Sequence, residues 1–155
     1  MSHAPLYVVI RGQAAPQGSK SFVGRTKDGR PIMRESSKDV KPWRSDVKAA
    51  AEAAMPEDWT PIMSAVQIVA VFVRPRPKGH YRTGRFAGLL RDTAPPYPAT
   101  TPDLDKLLRS TLDALGKKGA SVWRDDAQVV RIVTDKIYAT DEMAPGAILT
   151  ITPME

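Results

Sequence analysis

Ala65-Val66-Gln67-Ile68-Val69-Ala70-Val71-Phe72-Val73 is the stretch on which the architecture turns, because it is apolar enough to predict a central strand. Upstream, Leu6-Tyr7-Val8-Val9-Ile10-Arg11 is a β-rich run ending at Gly12, which predicts a first strand. Phe22-Val23 and Pro31-Ile32-Met33 flank the turn signal Lys27-Asp28-Gly29, so a short hairpin follows. Pro42 suits the first turn of a helix, and Trp43, Val47, Ala50 and Ala54 recur at helical spacing to about Met55. Downstream, residues 102–115 predict a second helix, with Leu104, Leu107, Leu108, Thr111, Leu112 and Leu115 on one face. Gly116 and Gly119 end it. Residues 127–138 form a β-branched run, and residues 146–153 contain a last strand. The order β, hairpin, α, β, α, β, β predicts an α+β fold: one domain over residues 1–155, with two helices on one face of a mixed sheet.

Composition narrows the chemistry. At 155 residues and 42% hydrophobic content, the chain is long enough and apolar enough for one globular core. It has no run long enough for a membrane span, and its first residues lack a signal peptide's charged start and apolar centre. A cytoplasmic protein is the expectation. There is no cysteine and only His3 and His80, which argues against disulfides and a histidine-rich zinc centre. A catalytic metal should therefore be a hard cation on oxygen ligands. The formal net charge of +6 favours a polyanionic partner.

The charge is concentrated in a Pro- and Gly-rich loop over residues 74–102. Its first part, residues 74–91, holds six Lys or Arg and no acid, interleaved with His80, Tyr81 and Phe86. Basic and aromatic side chains on a flexible segment suit single-stranded or distorted DNA, through phosphate pairing and base stacking. Arg74, Arg76, Lys78, Arg82 and Arg85 are candidate DNA contacts on this loop, with Lys20 and Lys106 outside it. A solvated surface loop would have the same composition.

Four carboxylates stand at the ends of predicted rigid elements: Asp103 and Asp105 at the second helix, Asp125 and Asp126 at the following strand. An ordinary helix start also accounts for part of this, with Thr101 as N-cap, Pro102 as first helical residue and Asp103 favoured by the helix dipole. Asp105 lies about 80° from the centre of the leucine face and Arg109 about 120°, on the same side. That spacing also fits an i, i+4 surface ion pair. Residues two apart on a helix diverge by about 200°. Asp103 and Asp105 can share a metal only if Asp103 sits in the extended approach or cap. Adjacent strand residues face opposite ways, so only one of Asp125 and Asp126 should be a direct ligand unless a turn places both. If the acids converge, Mg²⁺ on carboxylates can activate water and neutralise a phosphodiester, with Arg109 or Lys106 stabilising the transition state.

With these residues in view, the chain resembles the RusA family of Holliday junction resolvases, and its phage branch. The resemblance rests on Asp103-Leu104-Asp105-Lys106-Leu107-Leu108-Arg109-Ser110-Thr111-Leu112-Asp113-Ala114-Leu115, on Asp125-Asp126-Ala127-Gln128-Val129, and on Lys136. Pro16-Gln17-Gly18-Ser19-Lys20 and Lys41-Pro42-Trp43-Arg44 add to it. The resemblance implies a Mg²⁺-dependent endodeoxyribonuclease, with Mn²⁺ able to substitute, that resolves junctions and related branched DNA by paired symmetric nicks in recombination and repair. It implies metal ligation by Asp103, Asp105 and Asp126, with Asp125 as the alternative, a homodimer, and action in the cytoplasm of a bacterial host. The family usually has Asn at position 106 and a catalytically important Lys at 109. Arg109 can stabilise charge but donates a proton less readily than Lys. Lys136 lies about 33 Å along a straight strand from Asp126, and so reads as a DNA or structural contact. Two other readings use the same composition: a junction-binding protein without catalysis, and a basic adaptor without a nucleic-acid role.

Overall fold

A computed structural model describes residues 3–17, 20–35 and 38–155, with the side chains at 20–21 and 33–35 outside it. The elements follow in the expected order: β1 (Leu6–Arg11), β2 (Lys20–Arg25), β3 (Pro31–Glu35), α1 (Val40–Ala54), β4 (Ala65–Arg74), α2 (Leu104–Leu115), β5 (Val129–Tyr138) and β6 (Gly146–Met154). Strands β1, β6, β4 and β5 form one sheet in that order, and β2–β3 is a separate hairpin. In the hairpin turn Gly29 takes φ +82, the left-handed region that glycine adopts without steric cost. The main sheet is mixed: β4 runs antiparallel to β6 and parallel to β5.

Strand β4 is central, as its sequence predicts, with Ile68 paired to Ile151 on one side and Ile132 on the other. Its burial nevertheless alternates: Val66, Ile68, Ala70 and Phe72 are buried, while Gln67, Val69 and Val71 are only half-buried. The buried set faces the two helices. Strand β1 shows the same alternation, with Leu6, Val8 and Ile10 inside and Tyr7 and Val9 outside.

Helix α1 buries Val40, Trp43, Val47 and Ala51. Pro42 lies in its first turn, where a missing N–H costs nothing. The helix is tied to α2 by the fully buried Trp43, whose Nε1–H donates to Thr111 Oγ1 at 3.1 Å. That bond satisfies the indole donor inside the core.

Helix α2 departs from its expected face. It buries Leu107, Ser110, Thr111, Ala114 and Leu115, leaving Leu104, Leu108 and Leu112 only half-buried. The buried stripe is rotated by about 60° from the leucine stripe, counting 100° per residue. Small and hydroxyl-bearing residues let the helix approach closely, and their polar groups find local partners. Ser110 Oγ donates to Ala15 O at 2.6 Å, and Thr111 Oγ1 donates to Leu107 O at 2.9 Å.

Candidate active site

The approach to α2 differs from the expected helix start. Thr101 and Pro102 lie outside the helix, joined by a cis peptide bond, and Asp103 is the N-cap. Asp103 has extended backbone, φ −66 and ψ 140, and its side chain makes no capping hydrogen bond. The carboxylate instead pairs with Lys106 Nζ at 3.5 Å. Leu104 begins the helix, and Asp105 follows as its second residue. The extended cap removes the 200° divergence that two helical residues would have, and both carboxylates are exposed.

The rotated stripe puts Asp105 and Arg109 on the solvent side of α2, where both are exposed. They form no ion pair with each other. Lys106 lies on the flank, lining a cleft of about 340 Å³ with Gln13, Pro16, Asp39, Arg74 and Asp103. Arg74 Nη1 donates to Ala14 O at 2.7 Å, and burial holds the guanidinium below its ordinary pKa. Asp39, the N-cap of α1, is a carboxylate of this cleft that the sequence reading did not single out. No sequence signal distinguishes it from a routine cap.

Lys136 is a structural contact, and it serves the Asp103 end of the molecule. Its Nζ donates to Thr100 O at 2.7 Å and Pro102 O at 2.9 Å, clamping the segment that delivers Asp103. Its separation from Asp126 along β5 therefore carries it toward Asp103.

The Asp125–Asp126 pair sits in a 3-10 turn (Asp126–Gln128) ahead of β5, so strand alternation does not apply. Asp125 caps the turn: its Oδ1 accepts from Ala127 N at 2.8 Å, and Gln128 Oε1 accepts from Asp125 N at 2.7 Å. Asp126 accepts from Trp123 Nε1 at 2.9 Å and packs against Gly116, just past the end of α2. The length of α2 therefore separates Asp126 from Asp103 by about 20 Å at 1.5 Å per residue. Among the described residues, no group of three or more His, Asp or Glu is placed to hold a metal within one chain. The structure pairs Asp103 with Lys106, sets Asp105 in the first turn at the same end of α2, and leaves Asp126 at the far end.

The basic loop is more tied down than its composition predicts. Two 3-10 turns (Lys78–His80 and Gly84–Phe86) and a bridge between Tyr81 and Leu90 organise it. Arg76 donates to Pro95 O at 2.9 Å and stacks 4.1 Å above the Tyr138 ring, and Arg82 pairs with Asp92 at 3.0 Å. Lys78 and Arg85 are exposed, Arg85 lying 5.4 Å from the exposed Phe86 ring. Gly18 and Ser19, and the side chain of Lys20, lie outside the described residues.

No helix among the described residues is long and apolar enough to cross a membrane. The comparison with curated proteins gives no match. Residues 12–152 match the family Endodeoxyribonuclease RusA, taking in the hairpin, both helices and both acidic segments. The chain belongs to the RusA family of endodeoxyribonucleases, hydrolytic enzymes acting on branched DNA.

Proposed function

We propose that this chain is a Mg²⁺-dependent resolvase that nicks four-way junctions symmetrically as a homodimer, with Mn²⁺ able to substitute. One observation carries the reading: the extended Asp103 cap, with Asp105 in the first turn of α2, presents two exposed carboxylates at a helix end, Asp103 lining a cleft with Lys106 and Arg74. Hard oxygen donors at the end of a rigid helix suit Mg²⁺, which needs few protein ligands. When bound, the ion supplies an activated water and neutralises charge at the phosphate. Lys106 and Arg109 stabilise charge developing on the phosphate oxygens. Lys136 holds the Asp103 segment in place, and exposed Lys78 and Arg85 grip the DNA backbone, beside Phe86 as a stacking platform. Arg74, Arg76 and Arg82 complete the basic surface.

Asp126 enters through a second copy. Among the described residues strand β5 is a sheet edge, paired with β4 alone, and exposes Val130, Ile132 and Val133. Such an edge is a template for pairing with another chain. The strand starts just after Asp126 and ends close to the segment carrying Asp103. An antiparallel twofold pairing of two β5 strands would therefore set the partner subunit's Asp126 beside Asp103 and Asp105. The same twofold axis gives two matched sites for two matched nicks.

The decisive test incubates the protein with a synthetic four-way junction, with and without Mg²⁺, and maps the nicks. Paired symmetric nicks that disappear in EDTA are expected. Binding without cleavage in Mg²⁺ or Mn²⁺ would instead make this a junction-binding protein. Co-refolding Asp105→Asn with Asp126→Asn tests the shared site, because a mixed dimer regains one intact site. Single-strand nicking by the mixture supports the arrangement, and an inactive mixture counts against it.

A further inference from the structure

The carboxylate of Asp126 is held by two residues that no acidic motif includes. Trp123 is completely buried, and its Nε1–H donates to Asp126 Oδ1 at 2.9 Å. An indole N–H is a donor only, so a buried tryptophan needs an acceptor, and a charged acceptor gives the stronger bond. Gly116 forms the second wall. A Cβ at this position would fall on Asp126 Oδ1 and lie 3.3 Å from the Trp123 indole nitrogen. Its φ of −80 and ψ of −158 are extended backbone that other residues adopt, so glycine is needed here for space. Asp126 Oδ2 accepts no hydrogen bond among the described residues. The neighbouring Asp125 uses Oδ1 to cap its own turn, accepting from Ala127 N, and has no buried donor holding it among the described residues.

We propose that Trp123 and Gly116 are positioning residues that fix Asp126 for metal binding, holding one carboxylate oxygen and leaving the other free. This rests on the reading of Asp126 as a ligand. The indole restricts rotation of the carboxylate, so less freedom is lost when an ion arrives. Hydrogen bonds of this kind orient metal-ligating carboxylates, and removing one weakens metal affinity by about 10- to 100-fold. Gly116 keeps the indole and the carboxylate in contact. A side chain there would push the carboxylate off the nitrogen.

The test measures Mn²⁺ binding to the full-length protein by electron paramagnetic resonance of the free ion. Wild type is compared with Asp126→Asn, Trp123→Phe and Gly116→Ala, and each is melted without metal as a folding control. Trp123→Phe keeps an aromatic ring in the core but removes the N–H, and Gly116→Ala keeps the N–H but removes the space. Both are expected to weaken Mn²⁺ binding at least about 10-fold, and to raise the Mn²⁺ needed for half-maximal nicking more than they lower the rate at saturation. A purely structural role would lower the melting temperature and leave Mn²⁺ affinity in place, and that result overturns the proposal. If Trp123→Phe does not fold, Gly116→Ala decides alone. Wild-type affinity in Asp126→Asn would instead remove Asp126 from the metal site, a separate failure.

Discussion

The two ends of α2 are built on opposite plans. At the N-terminal end the helix opens into a cleft, and Asp103 and Asp105 are exposed, with one ion pair from Asp103 to Lys106. At the C-terminal end it closes on buried Trp123 and Gly116, and Asp126 is held against both. Backbone geometry orders the first end: an extended cap, with its approach clamped by Lys136. Side-chain packing orders the second. Carboxylates of the first kind are free to adjust to an ion and a phosphate, whereas one of the second kind is aimed before either arrives.

The largest effect should come from the open end. Asp105→Asn is expected to lower Mg²⁺-dependent nicking by more than about 100-fold, since several kcal/mol of charge stabilisation are at stake. Junction binding, measured by gel shift, should persist, because the substitution removes a negative charge near DNA. Full activity would show that the open end is not where hydrolysis occurs. Next, Lys106→Ala should slow nicking by about 10-fold and more than Arg109→Ala does, because Lys106 lies beside Asp103 in the cleft. Single-turnover rates at saturating Mg²⁺ decide the order, and a larger effect at Arg109 would move the working cation to the solvent face.

Lys136→Met probes the clamp and should cost about 1–2 kcal/mol of stability in urea unfolding through two lost carbonyl contacts. It should slow nicking as well. A stability loss with no change in rate would mean that the clamp does not position Asp103. The smallest effect is expected at the closed end, where Asp125→Ala removes a cap worth about 1 kcal/mol. Urea unfolding should register that loss while Mn²⁺ affinity stays near wild type. A collapse of Mn²⁺ affinity would exchange the roles of the two adjacent aspartates.

Much of the fold was legible because it rests on local pattern. The apolar stretch at residues 65–73 announced a central strand, Gly29 a turn, and Pro42 a helix start, and the order of elements followed from their spacing. The face of α2 was not legible. Leucines mark an apolar stripe, but close contact with α1 and residues 13–17 favoured Ser110, Thr111 and Ala114 instead. The extended state of Asp103 was foreseen as a condition for Asp103 and Asp105 to act together, and the structure meets it. The roles of Trp123 and Gly116 carried no periodic or motif signal, because each depends on a neighbour brought close by the turn after α2.

Asp103, Asp105, Asp125 and Asp126 could be chosen from the sequence by residue type and position at element ends, and the hard-cation expectation followed from the missing cysteines and scarce histidines. Which carboxylates stand together was decided only by the tertiary structure. Adjacency along the chain reports local geometry, whereas the span of α2 places Asp126 at the far end of the same helix. The packing at that end, with Asp125 capping its own turn and Asp126 held by Trp123, separates two neighbours that residue type and spacing alone left equivalent.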